Sequence, residues 1–131
     1  MRVQGWERRL GDVLGRWQAR AHGWDATCAD FAADVVEAVS GRDIRPPIGL
    51  PVRSAREAAA LYRRAGVATL AGAVTAVLGE PVPPRRAHRG DIVEAAKDAA
   101  LGVCLGDRCA FLGDRGLVAL PLQAAGRAWR V

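Results

Sequence analysis

The chain is poor in several residue types that often carry chemistry. It has one lysine, two histidines, one tyrosine and two phenylalanines in 131 positions, so that even with four tryptophans the aromatics are few. So few aromatics leave no row of stacking platforms for single-stranded nucleic acid. No apolar run approaches the length of a membrane span. The first ten residues, MRVQGWERRL, have neither a continuous apolar core nor a small-residue cleavage site, so they read as the start of an amphipathic helix and not as a signal peptide. The chain is therefore expected to begin in the cytoplasm, where the odd set Cys28, Cys104 and Cys109 stays as free thiols. No two cysteines have CxxC spacing, and His22 and His88 form no ligand pattern with them, so no metal or cofactor site is expected.

Half of the residues are apolar and a quarter charged, ordinary proportions for a globular protein, and the length predicts one domain over 1–131. The net charge of +5 rests on eighteen arginines. They are scattered and not gathered into a block, and arginine in place of lysine beside 26 alanines is what a GC-rich coding sequence produces. Nucleic acid is accordingly not an expected partner, since binding to its backbone needs clustered cations.

Apolar spacing predicts a first helix over residues 3–20, with Val3, Trp6, Leu10, Val13, Leu14 and Trp17 on one stripe. A second helix is expected from Cys28 to about Ser40, capped by Asp25 or Thr27 and closed by Gly41, with Cys28, Phe31, Ala32, Val35, Val36 and Val39 on its apolar side. Three prolines and a glycine make residues 44–52 an extended loop. The run Ser54-Ala-Arg-Glu57 predicts a capping box at the start of a third helix that ends at Gly66, and a fourth, apolar helix spans about Thr69 to Leu78. The cluster Pro81, Pro83 and Pro84 separates this helical part (1–80) from a part rich in strand patterns (88–131). Five short strands are expected there, with turns at Gly106-Asp107 and Gly113 to Gly116; Cys104 and Cys109 then face each other across a tight hairpin. Helices followed by strands make the class α+β, with the helices packed on a small antiparallel sheet.

Cys28 is the residue on which the functional question turns. A thiol in the first turn of a helix is placed to become a nucleophile, because the helix N-terminus favours the thiolate; on an apolar stripe it also serves as plain core packing. His22 and His88 are the two available bases. Asp91 is placed either to orient such a base or to serve its own turn. Trp6, Trp17, Trp24 and Trp129 are candidates for core or interface anchors, and the closing run 128–131 is a strand that can join a neighbour's sheet.

A cysteine opening a helix, a Gly-Asp leading into a first strand and a Leu-Gly-Val-x-Leu-Gly strand together resemble the NlpC-type cell-wall peptidases, a branch of the papain-like fold. A closer resemblance is to a family of short uncharacterised proteins encoded in phages and prophages near tail genes. Its motifs correspond here to Cys28–Asp34, Ser40–Asp43, Arg89–Asp91, Ala100–Gly106, Ala110–Leu112, Gly116–Val118 and Ala128–Val131. The peptidase pattern has its catalytic histidine two residues before the glycine matched by Gly102, a position that Ala100 occupies, and Thr27 stands where an aspartate commonly precedes the nucleophile. The resemblance therefore implies a catalytically degenerate NlpC-like domain that acts as a structural or adaptor protein of a phage tail. Its expected partners are other tail proteins of the tip, hub or tape-measure region, and its place is the host cytoplasm during assembly and then the virion tail. The alternative is an active peptidoglycan-cleaving cysteine peptidase or amidase with Cys28 as nucleophile and His22 or His88 as base.

Overall fold

The computed structural model describes residues 1–131. Five helices precede five strands: α1 (Trp6–Trp17), α2 (Cys28–Ser40), α3 (Arg45–Ile48), α4 (Ala55–Ala65), α5 (Leu70–Leu78), then β1 (Ile92–Ala95), β2 (Leu101–Cys104), β3 (Arg108–Gly113), β4 (Gly116–Pro121) and β5 (Ala125–Trp129). The strands form one antiparallel sheet in the order β4-β3-β2-β1-β5. This is the expected α+β arrangement. No helix is long and apolar enough to cross a membrane.

The inner face of the sheet takes α2, which lies over β2 and is flanked by α1. Alternation along each strand sends Ile92, Leu101, Val103, Ala110, Leu112 and Trp129 inward to meet Phe31, Val35, Val36 and Val39 of α2. Trp17 and Phe31 pack at 5.4 Å between ring centres, tilted by 58°. Both indoles that enter the core keep a partner for their N–H: Trp17 donates to the Asp34 carboxylate at 2.7 Å and Trp129 to the Thr75 hydroxyl at 3.0 Å. Trp17 and Trp129 are thus core residues and not interface anchors; they are 1% and 0% exposed.

The opposite face carries a smaller cluster of Val93, Ala95, Cys104, Cys109, Phe111, Ala125 and Ala128, with Val82, Ala87 and Leu122 laid over it. Position 102 falls on this face by alternation and is glycine because the Phe111 ring occupies its side-chain space: an added Cβ would sit 2.6 Å from the ring and collide with the Ala110 carbonyl.

Four local expectations change. The first helix is shorter than 3–20: Gly5, at φ 76°, starts it, and the Val3 amide donates to the Val39 carbonyl instead of continuing it. Beyond Trp17 the chain is drawn to the sheet, where Leu117 donates to Gln18 and His22 to Gly113. The loop 44–52 contains the helical turn α3, whose first-turn amides need no intrahelical partner and so tolerate Pro46 and Pro47, while Ile44 and Ile48 are buried. At α4 the Ser54 hydroxyl accepts the Glu57 amide as a cap should, but the Glu57 carboxylate accepts the amide of Arg53, one residue earlier than a capping box requires. Finally, the terminal run is not free to extend a neighbour's sheet. Val82 pairs with Ala128 along the outer edge of β5, and Val131 is tied back to Asp91.

Asp91 organises that end of the molecule. It is 1% exposed. One carboxylate oxygen accepts from Arg2 at 2.9 Å and from the Val131 amide at 3.0 Å, and the other accepts from the His88 amide at 2.7 Å. Arg2 also donates to the carbonyls of Arg89 and Val131 and stacks 4.2 Å over the Trp6 ring. Gly90, at φ 95°, lets the backbone bulge here; its amide and that of Cys104 bond across β1 and β2, and a side chain would press on Arg2 and Trp6 at 3.1 Å. Of its two expected roles, Asp91 takes the structural one. Asp91→Ala leaves a guanidinium and two amides without their acceptor, and is expected to lower stability by about 3 kcal/mol in urea unfolding, more than Arg2→Ala does. A loss below about 1 kcal/mol would show that solvent replaces the carboxylate without penalty.

Candidate functional site

The approach to α2 is built from short-range constraints. Gly23 and Ala26 exchange backbone hydrogen bonds at 3.1 Å, which folds Trp24 and Asp25 into a tight turn just before the helix. Thr27 is the N-cap, at φ −91° and ψ 164°. Its hydroxyl accepts the Asp30 amide at 3.2 Å, and the Asp30 carboxylate accepts the Thr27 amide at 2.9 Å, so the capping box stands here, where the sequence showed only its first half. Arg53 reaches across from the α3–α4 connection to donate to Asp30 at 2.7 Å and to the Trp24 carbonyl at 3.1 Å. Burial alone pushes the Asp30 carboxyl up, but the Thr27 amide, the Arg53 guanidinium and the Thr27 hydroxyl outweigh it and hold the group below its ordinary 3.8.

The cap fixes Cys28 at the first helical position, at the floor of a cleft of about 190 Å³. Leu50, Val52, Leu61, Tyr62 and Leu70 line it together with Trp24 and His22 from the approach to α2. The lining is almost wholly apolar, and the volume is below the roughly 300–1,000 Å³ of ordinary small-ligand pockets. Trp24 is half exposed at this cleft, while Trp6 is half-buried under Arg2 at the Asp91 end.

The thiol is partly buried, and that burial pushes it up from its ordinary value. The backbone amides of Leu101 and of Cys28 itself draw it down, while the Asp98 and Asp30 carboxylates push it further up. Desolvation is the largest of these effects, so the thiol lies above its ordinary value and stays protonated at neutral pH.

His22 is exposed and shares the cleft with Cys28. His88 does not line it; its amide belongs to the Asp91 cluster at the other end of β1. Ala100 does not line it either. Its methyl packs with the outer-face cluster, and the part of β2 that reaches Cys28 is the backbone of Leu101. The structure thus brings together only Cys28 and His22 of the expected catalytic residues. Tyr62, Asp98 and Arg53 were not anticipated. Tyr62 was legible only as one apolar position of a helix, and nothing in local spacing connects the β1–β2 turn that holds Asp98 to a cysteine seventy residues earlier. No group of three or more His, Cys, Asp or Glu side chains is arranged to hold a metal ion.

The depressed Asp30 carboxyl predicts a pH dependence. A group with a lowered folded value contributes stability that is complete above its unfolded value, 3.8, and is lost as the pH falls through the lower folded one. Asp30→Asn is therefore expected to flatten the acid limb of a thermal-midpoint profile below about pH 4 while lowering stability at pH 7. An acid limb unchanged by the substitution would assign acid unfolding to other carboxylates.

No curated protein matches the chain. Residues 1–131 match, from end to end, the family described as Domain of unknown function (DUF6950), and the chain belongs to that family.

Proposed function

We propose that this protein is a catalytically silent domain of the NlpC-type, papain-like lineage that serves as a structural or adaptor piece of a phage tail. On this reading it is made in the host cytoplasm, carried in the virion tail, and docks against other tail proteins of the tip, hub or tape-measure region. The motif series from Cys28 to Val131 supports the lineage and the tail setting. The observation that carries the loss of catalysis is the setting of the thiol. A nucleophilic cysteine needs a cation or a base beside it, whereas burial is what chiefly raises Cys28, and the charges that act on it are the carboxylates of Asp98 and Asp30.

One observation favours the alternative, a peptidoglycan-cleaving cysteine peptidase or amidase: His22 lines the same cleft as Cys28. A single pair of measurements separates the two. The silent domain is expected to leave purified peptidoglycan uncut, and its Cys28 to react with iodoacetamide more slowly at pH 7 than a free thiol, with a midpoint of the pH–rate profile above about 8.5. Cleavage that disappears in both Cys28→Ala and His22→Ala, each still folded by circular dichroism, would establish the enzyme instead.

A further inference from the structure

Two of the three thiols lie outside the cleft, and the register of the sheet pairs them. Cys104 closes β2 and Cys109 follows the first residue of β3, directly opposite each other. The hydrogen-bond pattern shows which kind of pair this is. The Cys104 amide donates to the Asp91 carbonyl and its carbonyl accepts from Gly90, so both of its backbone groups point to β1. Toward β3 the next pair carries the bond, from the Leu105 amide to the Arg108 carbonyl at 2.8 Å. Cys104 and Cys109 therefore occupy a non-hydrogen-bonded site, where Cα atoms of facing residues lie about 4.5 Å apart. That is within the roughly 4.4–6.8 Å that a disulfide spans. Both side chains point to the outer face, and both are 0% exposed.

We propose that Cys104 and Cys109 are an oxidisable pair, a dithiol that forms a cross-strand disulfide when the protein meets a low-molecular-weight disulfide, and that the bond locks the β2–β3 hairpin. The step balances as two thiol–disulfide exchanges. The Cys104 thiolate attacks one sulfur of oxidised glutathione and expels a glutathione thiolate; the Cys109 thiolate then attacks the Cys104 sulfur of the mixed disulfide and expels the second. The two protein thiols lose two protons and two electrons, and one oxidised glutathione becomes two reduced ones. Burial pushes the Cys104 thiol up and the Asp91 carboxylate adds to it, while the Gly106 amide, which donates to its sulfur at 3.4 Å, and Arg2 draw it back. That amide gives the Cys104 anion a hydrogen-bond donor, so Cys104 goes first. Burial and the Cys104 thiol push Cys109 up to about 11.

Both cysteines are 0% exposed within the cluster against which Val82, Ala87 and Leu122 pack, so exchange waits on local opening of that face. Oxidation is therefore slow at neutral pH and faster as the pH rises toward the thiol range. The inference is independent of what the cleft at Cys28 does.

The test is incubation of the purified full-length protein with oxidised glutathione, followed by alkylation in denaturant, peptide mapping and a thermal scan. The expected product has lost two hydrogen masses, carries the link between Cys104 and Cys109, and melts about 5 °C or more above the reduced protein. Dithiothreitol reverses both changes, and Cys109→Ala shows neither. Recovery of Cys104 and Cys109 as alkylated free thiols, or links that run through Cys28, would overturn the pair. A Cys104–Cys109 link that leaves the thermal midpoint unchanged or lowered would overturn the lock. The wild-type mapping stands by itself if the alanine variant does not fold.

Discussion

The carboxylate of Asp91 holds together parts of the chain that share no helix or strand. It joins Arg2 near the first residue, the His88 turn and the Val131 amide at the last residue. A buried carboxylate is costly unless ionic and hydrogen-bonding partners surround it, and here each oxygen has one or two. Beside it the backbone bulges at Gly90, so that the Gly90 amide and the Asp91 carbonyl both bond Cys104 of β2. The two outer-face thiols, paired by the register of β2 and β3, thus lie next to the contacts that hold the termini.

At the other end of the core the cap of α2 sets a competition between effects of opposite sign. The first turn of a helix offers amides that favour an anion, and Cys28 is placed to use them. The wall built from Leu50, Val52, Leu61 and Tyr62 removes water from the same thiol, and Asp98 adds negative charge across the gap. The outcome depends on which side is larger, and desolvation is. A position that favours a nucleophile is held in a setting that keeps it neutral.

The two faces of the sheet divide the cysteines between these settings. Alternation along β2 sends Leu101 and Val103 toward α2 and Gly102 and Cys104 away from it. Ala100 falls on the outward side with them. A one-residue difference in parity therefore decides that the Ala100 side chain does not look into the cleft, while the backbone next to it does.

Much of the fold was legible from residues alone, because its signals are local. Thr27, Gly41, Ser54, Gly66 and Gly79 mark helix ends through capping chemistry that needs only a few neighbours, and the Gly-Asp turns with alternating apolar residues mark the hairpin that sets Cys104 opposite Cys109. Where local signals misled, a distant contact had overridden them. The chain after Trp17 leaves its helix to bond with the β3–β4 turn, and Ile44 and Ile48 pull a proline-rich loop into a helical turn by burying themselves. The candidate site divides in the same way. Cys28 at a helix start is a property of its neighbours in sequence. The apolar wall, the approach of Asp98 and the separation of His88 from Cys28 are properties of packing, because desolvation and charge act through space and have no spacing rule along the chain.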